Sequence, residues 1–232
     1  MTTRATEDYL KTIYALERAA ESGEVGTGAI AEALGVAGPS ATNMLKRLAT
    51  AGLVAHHPRR GVALTANGER VALEVIRHHR LLETYLTEAL GFGWDEVHDE
   101  ADRLEHLLSD RLEARMDEAL GYPAFDPHGD PIPTIEGEVP QRPVRSLATV
   151  QVGDGGVIAR VDDRDPAKLR YLAELGLTPG TTATIVEALP FAGPRRGRID
   201  GGEVEHLMGD ELAAAVFIWD DMGTNDGDQE AS

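Results

Sequence analysis

Apolar residues recur at helical spacing near the start of the chain. Tyr9, Leu10, Ile13, Tyr14 and Leu16 mark one face of a helix over about 6–20. Gly23 and Gly26 interrupt that pattern, and Thr27 can cap a short helix through GAIAEALGV. Gly35 supplies a turn, and a second helix is expected over about 39–51. Pro39 falls in its first turn, where a missing N–H is tolerated. Ala31, Leu34, Val36, Met44, Leu45 and Leu48 can share one core. Two short strand candidates, 53–56 and 61–64, are joined by HPRR, and Thr65 opens a long helix with Glu69 in its first turn. Helix, short turn, helix and basic-tipped hairpin outline a winged helix-turn-helix.

Farther on, VHDEADRLEHLLSDRL (97–112) combines apolar Leu104, Leu107, Leu108 and Leu112 with a polar stripe. His98, Asp102, Glu105 and His106 lie at i, i+4, i+7 and i+8, within about 100° of a helix circumference. The preceding helix adds His79 and Glu83, again i and i+4, and the first helix adds Asp8. Between Pro123 and Pro143 stand six of the twelve prolines, a density that predicts an extended linker. Strand-like runs follow: GGVIARV, TTATIVEAL, RGRIDG, EVEHLM and AAVFIW, with a short helix at DPAKLRYLAELGL. The last dozen residues are small, polar and acidic, and are expected to fray.

Zero cysteines exclude disulfides, thiolate metal sites and a cysteine nucleophile. No long apolar run and no charged-then-apolar leader occurs, so neither a membrane span nor a secretory signal is expected. A cytoplasmic setting is the simple reading. The net charge of −18 argues against nucleic acid for the chain as a whole. It is unevenly spread, however. Between Gly26 and Ala66 the only acid is Glu32, set against Lys46, Arg47, Arg59 and Arg60. Phosphates respond to the local field, because charges beyond about 8 Å are screened. DNA contact is therefore expected from Ser40, Thr42, Asn43, Lys46 and Arg47 on the second helix, with Arg59 and Arg60 at the wing tip. A small helical core with a solvated surface remains the alternative.

Carboxylates with one or two imidazoles suit hard or borderline divalent ions, manganese or ferrous iron above all. The same spacing also suits a solvated, ion-paired face, with Arg80 and Arg103 as partners. His56, His57, His78, His128 and His206 are read as surface or local hydrogen-bonding residues. A winged-helix sensor of a small organic ligand and a metalloenzyme are the rival classes. Against an enzyme, Glu105 beside His106 lacks the HExxH spacing.

TEDYLKTIYALE (6–17), AGPSATNMLKRL (37–48), LTANG (64–68), HRLLETYL (79–86), VHDEADRLEHLLSDRL (97–112) and DPHGDPIP (126–133) occur in order across nearly the whole chain. In them the chain resembles the diphtheria-toxin-repressor family of metal-dependent transcription regulators, its manganese-responsive branch in particular. The resemblance implies an α+β chain: a winged helix-turn-helix DNA-binding domain (1–66), a helical metal-binding and dimerisation domain (67–121), a proline-rich linker (122–144), a small SH3-like, FeoA-like β-barrel (145–221) and a disordered acidic tail (222–232). It implies a non-enzymatic, homodimeric repressor of metal-homeostasis genes on palindromic double-stranded operator DNA, with no membrane and no small-molecule substrate. Thr27, Ala37 and Pro39 join the DNA-contacting set on the same ground.

By that resemblance Asp8, Asp102, Glu105 and His106 form a primary metal site, and His79, Glu83 and His98 an ancillary one completed by Asp165 from the β domain. Iron-responsive relatives place Met and Cys where Asp8 and Asp102 stand. Carboxylates in place of soft sulfur favour manganese, with ferrous iron next and cobalt or zinc as substitutes in vitro. Short manganese regulators of the family carry a Glu where Lys11 stands, so two separate sites are implied here rather than a close pair of ions. Without the ion the carboxylates are expected to repel one another and leave the reader free to move. Dimer contacts are expected from apolar faces at about 94–119, including Trp94, Val97 and Leu104.

Overall fold

A computed structural model describes residues 2–20, 23–57, 60–191 and 193–220. Arg59 and the acidic tail 222–232 lie outside the described residues. The chain divides into two compact units. The first comprises Met1–Leu82, Ala101–Ala119 and Ile132–Val139, and the second Glu83–Glu100, Leu120–Pro131 and Pro140–Ser232. No helix among the described residues is long and apolar enough to cross a membrane.

The first unit opens with α1 (Arg4–Ala19), started by Thr3, whose hydroxyl accepts from the Thr6 amide. Its apolar stripe buries Tyr9, Leu10, Ile13 and Tyr14 as the spacing predicts. α2 (Thr27–Ala33) and α3 (Gly38–Thr50) follow. Thr27 is not the cap; Gly26 holds that position and Thr27 is the first helical residue. β1 (Val54–His57) and β2 (Gly61–Leu64) form the hairpin, in register from Val54 opposite Leu64 to His57 opposite Gly61. Val25 bridges Val62 and ties the wing to the strand-like entry of α2. That bridge requires Gly61: its φ is +131°, and a Cβ there would lie 2.1 Å from the Val25 carbonyl oxygen. Leu10, Ile13, Ile30, Ala41, Leu45, Leu48, Val54 and Val62 close one core. Each large aliphatic side chain so buried contributes about 1.5–3 kcal/mol.

α4 (Ala66–Glu88) starts at Thr65, whose hydroxyl accepts from the Gly68 amide. The stretch 97–112 is not the single helix its spacing predicts. α5 (Val97–Leu104) tightens into a 3-10 turn at Glu105–Leu107, Leu108 is extended, and α6 (Asp110–Ala119) begins anew. The Ser109 carbonyl accepts the Leu112 and Glu113 amides, and Asp110 and Glu113 place acid in the first turn, a restart signal that overrides the leucine periodicity. Val97 is fully buried, so it is not available as a dimer contact, and Trp94 is half-buried against the core of the second unit. The exposed apolar residues here are Leu104, Leu107 and Leu112, at 38%, 78% and 51%.

The second unit carries an antiparallel six-stranded sheet of order β3-β8-β4-β5-β6-β7. Its strands are β3 (Val144–Ser146), β4 (Gly155–Val161), β5 (Thr182–Ala188), β6 (Arg195–Ile199), β7 (Glu205–Met208) and β8 (Val216–Trp219), with α7 (Pro166–Leu175) and α8 (Asp210–Ala214) between them. A bulge in β4 between Ile158 and Arg160 turns both Ile158 and Ala159 inward and bends the strand. Leu147, Val161, Leu169, Leu172, Ile185, Met208 and Ile218 fill the core of this small SH3-like domain.

The proline-rich segment is not a free spacer. Leu120–Pro131 belongs to the second unit and Ile132–Val139 to the first, where Ile132 is buried and Val139 packs on the core. Within it Asp126 Oδ1 accepts the amides of His128 and Asp130, both at 2.9 Å. The His128 carbonyl accepts the Val161 amide, and Gly129, at φ +88°, passes so close to β4 that a Cβ would meet the Ala159 oxygen at 2.0 Å.

Candidate metal centre and reader surface

Asp8 of α1 meets Glu105 and His106 of the 3-10 turn, with ligand atoms within 4.8 Å of one another. His106 Nδ1 lies 2.6 Å from Glu7 Oε2 and donates its proton there. In the neutral imidazole that leaves the lone pair on Nε2, which lies 2.9 Å from Asp8 Oδ1 and 3.4 Å from Glu105 Oε1. That nitrogen is buried and makes no hydrogen bond among the described residues. An orphaned imidazole lone pair facing two carboxylates is a donor set fit for a hard or borderline divalent ion. Glu7 escaped the sequence reading, although it adjoins Asp8 in the first helix.

Glu105 also belongs to a second cluster, with Asp102 of α5 and His79 of α4. His79 Nδ1 lies 2.6 Å from Glu105 Oε2 and 3.3 Å from Asp102 Oδ1. Into this cluster reaches Lys11, one turn after Asp8. Its Nζ donates to Asp102 Oδ1 at 2.9 Å and to Glu105 Oε2 and Oε1 at 2.8 and 3.1 Å. Burial alone would raise the Asp102 and Glu105 carboxyls, but the His79 hydrogen bond and the Lys11 charge hold both below the usual range. Burial alone would lower Lys11, and those two carboxylates carry it up instead. The expectation of unrelieved carboxylate repulsion is thus corrected: the chain supplies a cation of its own.

The turn bearing Glu105 is fixed from behind. His78 Nδ1 donates to the Glu105 carbonyl at 3.1 Å, and Nε2 faces Glu113 at 3.2 Å. Arg77 pairs with Glu113 and with Asp117, and donates to the Pro133 carbonyl at 2.8 Å. Burial works against a charged His78, yet Glu113 raises it, while His78 and Arg77 hold Glu113 down.

In the second unit, Glu83 Oε1 lies 3.2 Å from His98 Nδ1, and Asp163 Oδ2 lies 3.6 Å from the same nitrogen. His128, read as a surface or local hydrogen-bonding residue, is fully buried. Its Nε2 donates to the Trp94 carbonyl at 2.7 Å, its ring stacks on Trp94, and Nδ1 faces Glu83 Oε2 at 3.7 Å. Burial alone would lower His128, but Glu83 carries it up to about 9. Glu83, His128 and Asp163 form a further candidate set. Asp165 is not in it: its carboxylate caps α7, accepting the Ala167 and Lys168 amides. The carboxylate that lies beside His98 and Glu83 is that of Asp163, two residues earlier.

On the reader, Ala37, Pro39, Ser40, Thr42, Asn43, Lys46 and Arg47 are exposed and Thr27 is half-buried, while Ala41, Leu45 and Leu48 anchor α3 to the core. The Thr42 hydroxyl donates back to the Gly38 carbonyl. At the wing, Arg60 pairs with Glu24 at 2.9 Å, so its guanidinium has an internal partner as well as solvent.

A winged helix with a polar reader face, joined in one chain to carboxylate–imidazole clusters, defines a metal-responsive DNA-binding regulator. The chain matches the family descriptions "Iron dependent repressor, N-terminal DNA binding domain" over residues 1–62, "Iron dependent repressor, metal binding and dimerisation domain" over 65–134, and "FeoA domain" over 145–219. It is 34% identical to a diphtheria toxin repressor of Corynebacterium efficiens, covering 92% of this chain and 94% of that protein. With the iron-dependent repressor IdeR of Mycobacterium leprae it shares 41% identity over 131 residues, 56% of each chain. A solved structure described as a manganese-dependent transcriptional repressor in complex with manganese is 42% identical, with a TM-score of 0.85, covering 92% of this chain and 99% of that one. The chain belongs to the iron-dependent, or diphtheria toxin, repressor family. It is a metal-dependent transcriptional repressor and not an enzyme.

Proposed function

We propose that the chain is a manganese-responsive repressor that works in the cytoplasm as a homodimer on a palindromic operator. The observation that carries the metal reading is His106 Nε2, buried, without a hydrogen bond among the described residues, and facing Asp8 and Glu105 while Nδ1 faces Glu7. These three would hold the regulatory ion, with Asp102 the further ligand that the family resemblance implies; Glu83, His98 and Asp163 would hold a second. The donors are oxygen and imidazole nitrogen throughout, which suits manganese better than softer ions. The likeness to a repressor described with manganese bound supports the same choice, while the iron-dependent relatives make ferrous iron its competitor.

A bound divalent ion would add to the Lys11 charge among these carboxylates, answering the negative charge that one ammonium leaves. Asp8 brings α1 to the 3-10 turn, Glu7 holds the imidazole in register, and His78 fixes the backbone of Glu105. With this reader orientation favoured, α3 presents Ser40, Asn43, Lys46 and Arg47 to a major groove, and a dimer presents two such helices about 34 Å apart. Leu104, Leu107 and Leu112 offer the exposed apolar surface suited to the dimer contact. A ligand that binds only the ordered state stabilises it by about 2.7 kcal/mol at a hundredfold excess over Kd, enough for a near-hundredfold change in occupancy. The test is fluorescence anisotropy of a palindromic duplex, titrated with manganese, ferrous iron, zinc and cobalt in parallel. Manganese should stimulate binding at the lowest free concentration, and metal-independent binding would overturn the reading.

A further inference from the structure

We propose that Glu24 is a specificity-determining residue of the reader, because its pairing with Arg60 tethers the arginine of the wing, an inference that rests on the DNA-binding reading above. Glu24 stands just outside the acid-poor stretch that begins at Gly26, and the fold brings it back against the wing. Its Oε2 lies 2.9 Å from Arg60 Nε, and its Oε1 lies 3.7 Å from His57 Nδ1 on β1. The anchor is firm. Val25, the next residue, exchanges both backbone hydrogen bonds with Val62 at 2.9 Å, and the Arg60 amide donates to the His57 carbonyl across the wing turn. The Glu24 side chain is 12% exposed and that of Arg60 69%, so a well-held carboxylate grips a guanidinium that still meets solvent.

The pair acts on DNA binding in two ways. The carboxylate offsets one charge of the wing, and uncancelled cations strengthen binding to any sequence through counterion release. A phosphate contact carries no sequence information of its own, which here falls to exposed Ser40 and Asn43 on α3. The tether also limits where the guanidinium can go. A free arginine on its flexible stem follows a phosphate wherever the duplex lies, whereas a tethered one meets only a phosphate brought to it. It also has less rotamer freedom left to lose when that phosphate arrives. DNA seated in register on α3 brings the same phosphate to the wing each time, and DNA bound out of register does not. Glu24 therefore lowers binding to unrelated sequence more than binding to the operator. The specificity ratio, which governs occupancy among competing sites, rises.

The experiment uses the full chain with manganese and reads fluorescence anisotropy from about 50 to 200 mM salt. The probes are the palindromic duplex of the preceding test and a shuffled duplex of the same length and composition. Glu24→Gln should tighten binding to the shuffled duplex about three- to fivefold and steepen its salt slope by about one. Binding to the palindrome should change by less than about twofold, since the gain in charge is offset by the lost tether. Glu24→Ala should do the same, and circular dichroism confirms that each variant is folded. In an Arg60→Ala background neither change at Glu24 should alter the ratio of the two affinities, because the effect passes through the guanidinium. Equal tightening on both duplexes overturns the inference alone. So does a shift in the ratio that survives Arg60→Ala, as a general charge effect would, and so does an unchanged or loosened hold on shuffled DNA. Wild-type protein that does not prefer the palindrome overturns the operator reading, and this inference with it.

Discussion

Glu7 and Asp8 are neighbours in sequence but act on opposite sides of one imidazole. Glu7 fixes the tautomer of His106 from Nδ1, and Asp8 stands at Nε2. Partners of this kind, which orient a ligand, typically change metal affinity 10- to 100-fold. Glu7→Gln should therefore weaken manganese binding about tenfold or more by calorimetry while shifting the melting temperature little. The His78–Glu113 contact makes a different prediction. Glu113 is held below its usual pKa, so its contribution is present above about pH 4.3 and is lost as pH falls through the folded value. His78 is raised, so its contribution is full below about pH 6.5 and is lost as pH rises through the folded value. Glu113→Gln should cost about 3 kcal/mol near pH 5.5, where both terms are present, and less at pH 9, as urea melts would show. Spacing grouped Asp102, Glu105 and His106 together with His98, and only the family resemblance added Asp8 from the first helix. Glu7, His128 and Asp163 were not legible, since a tautomer and a buried ring depend on partners from other segments. Asp165 drew notice for the wrong reason: an aspartate just before a proline that opens a helix is a capping signature.

At the level of elements, pattern was a good guide where one strong period ran without interruption. α1, α3, α4 and the hairpin lie close to where their apolar spacing places them. It failed at 97–112, where the leucines continue but Ser109 and Asp110 restart the helix. The consequence is chemical, because Glu105 and His106 sit on a tight turn instead of the tail of a long helix. β3 and α8 were missed for being three and five residues long, too short for any period to register. The proline-rich stretch misled through composition, since its turn is held by Asp126 and by a glycine fitted against β4. Gly129→Ala combines a left-handed φ with a backbone clash. It should cost about 2 kcal/mol or more, visible as a fall of several degrees in melting temperature. Tryptophan fluorescence of Trp94 should report the accompanying release of the His128 ring.

Over the whole molecule, a strongly acidic chain carries a reader whose exposed face is basic at Lys46 and Arg47. The net charge of −18 opposes unspecific adhesion to DNA, so affinity must come from that face and, in the proposed dimer, from fitting two half-sites at once. Lys46→Ala and Arg47→Ala should each weaken operator binding and reduce the salt slope by about one, measured by anisotropy from 50 to 200 mM salt. Asn43→Ala should relax sequence preference and leave the slope unchanged.

Every ligand atom proposed for either ion is a carboxylate oxygen or an imidazole nitrogen, and the chain has no cysteine at all. Peroxide and disulfide stress, which disable sensors through their sulfur, find nothing to attack at such a centre. A cell under oxidative assault would keep an accurate gauge of its supply of the ion at the time it most needs one.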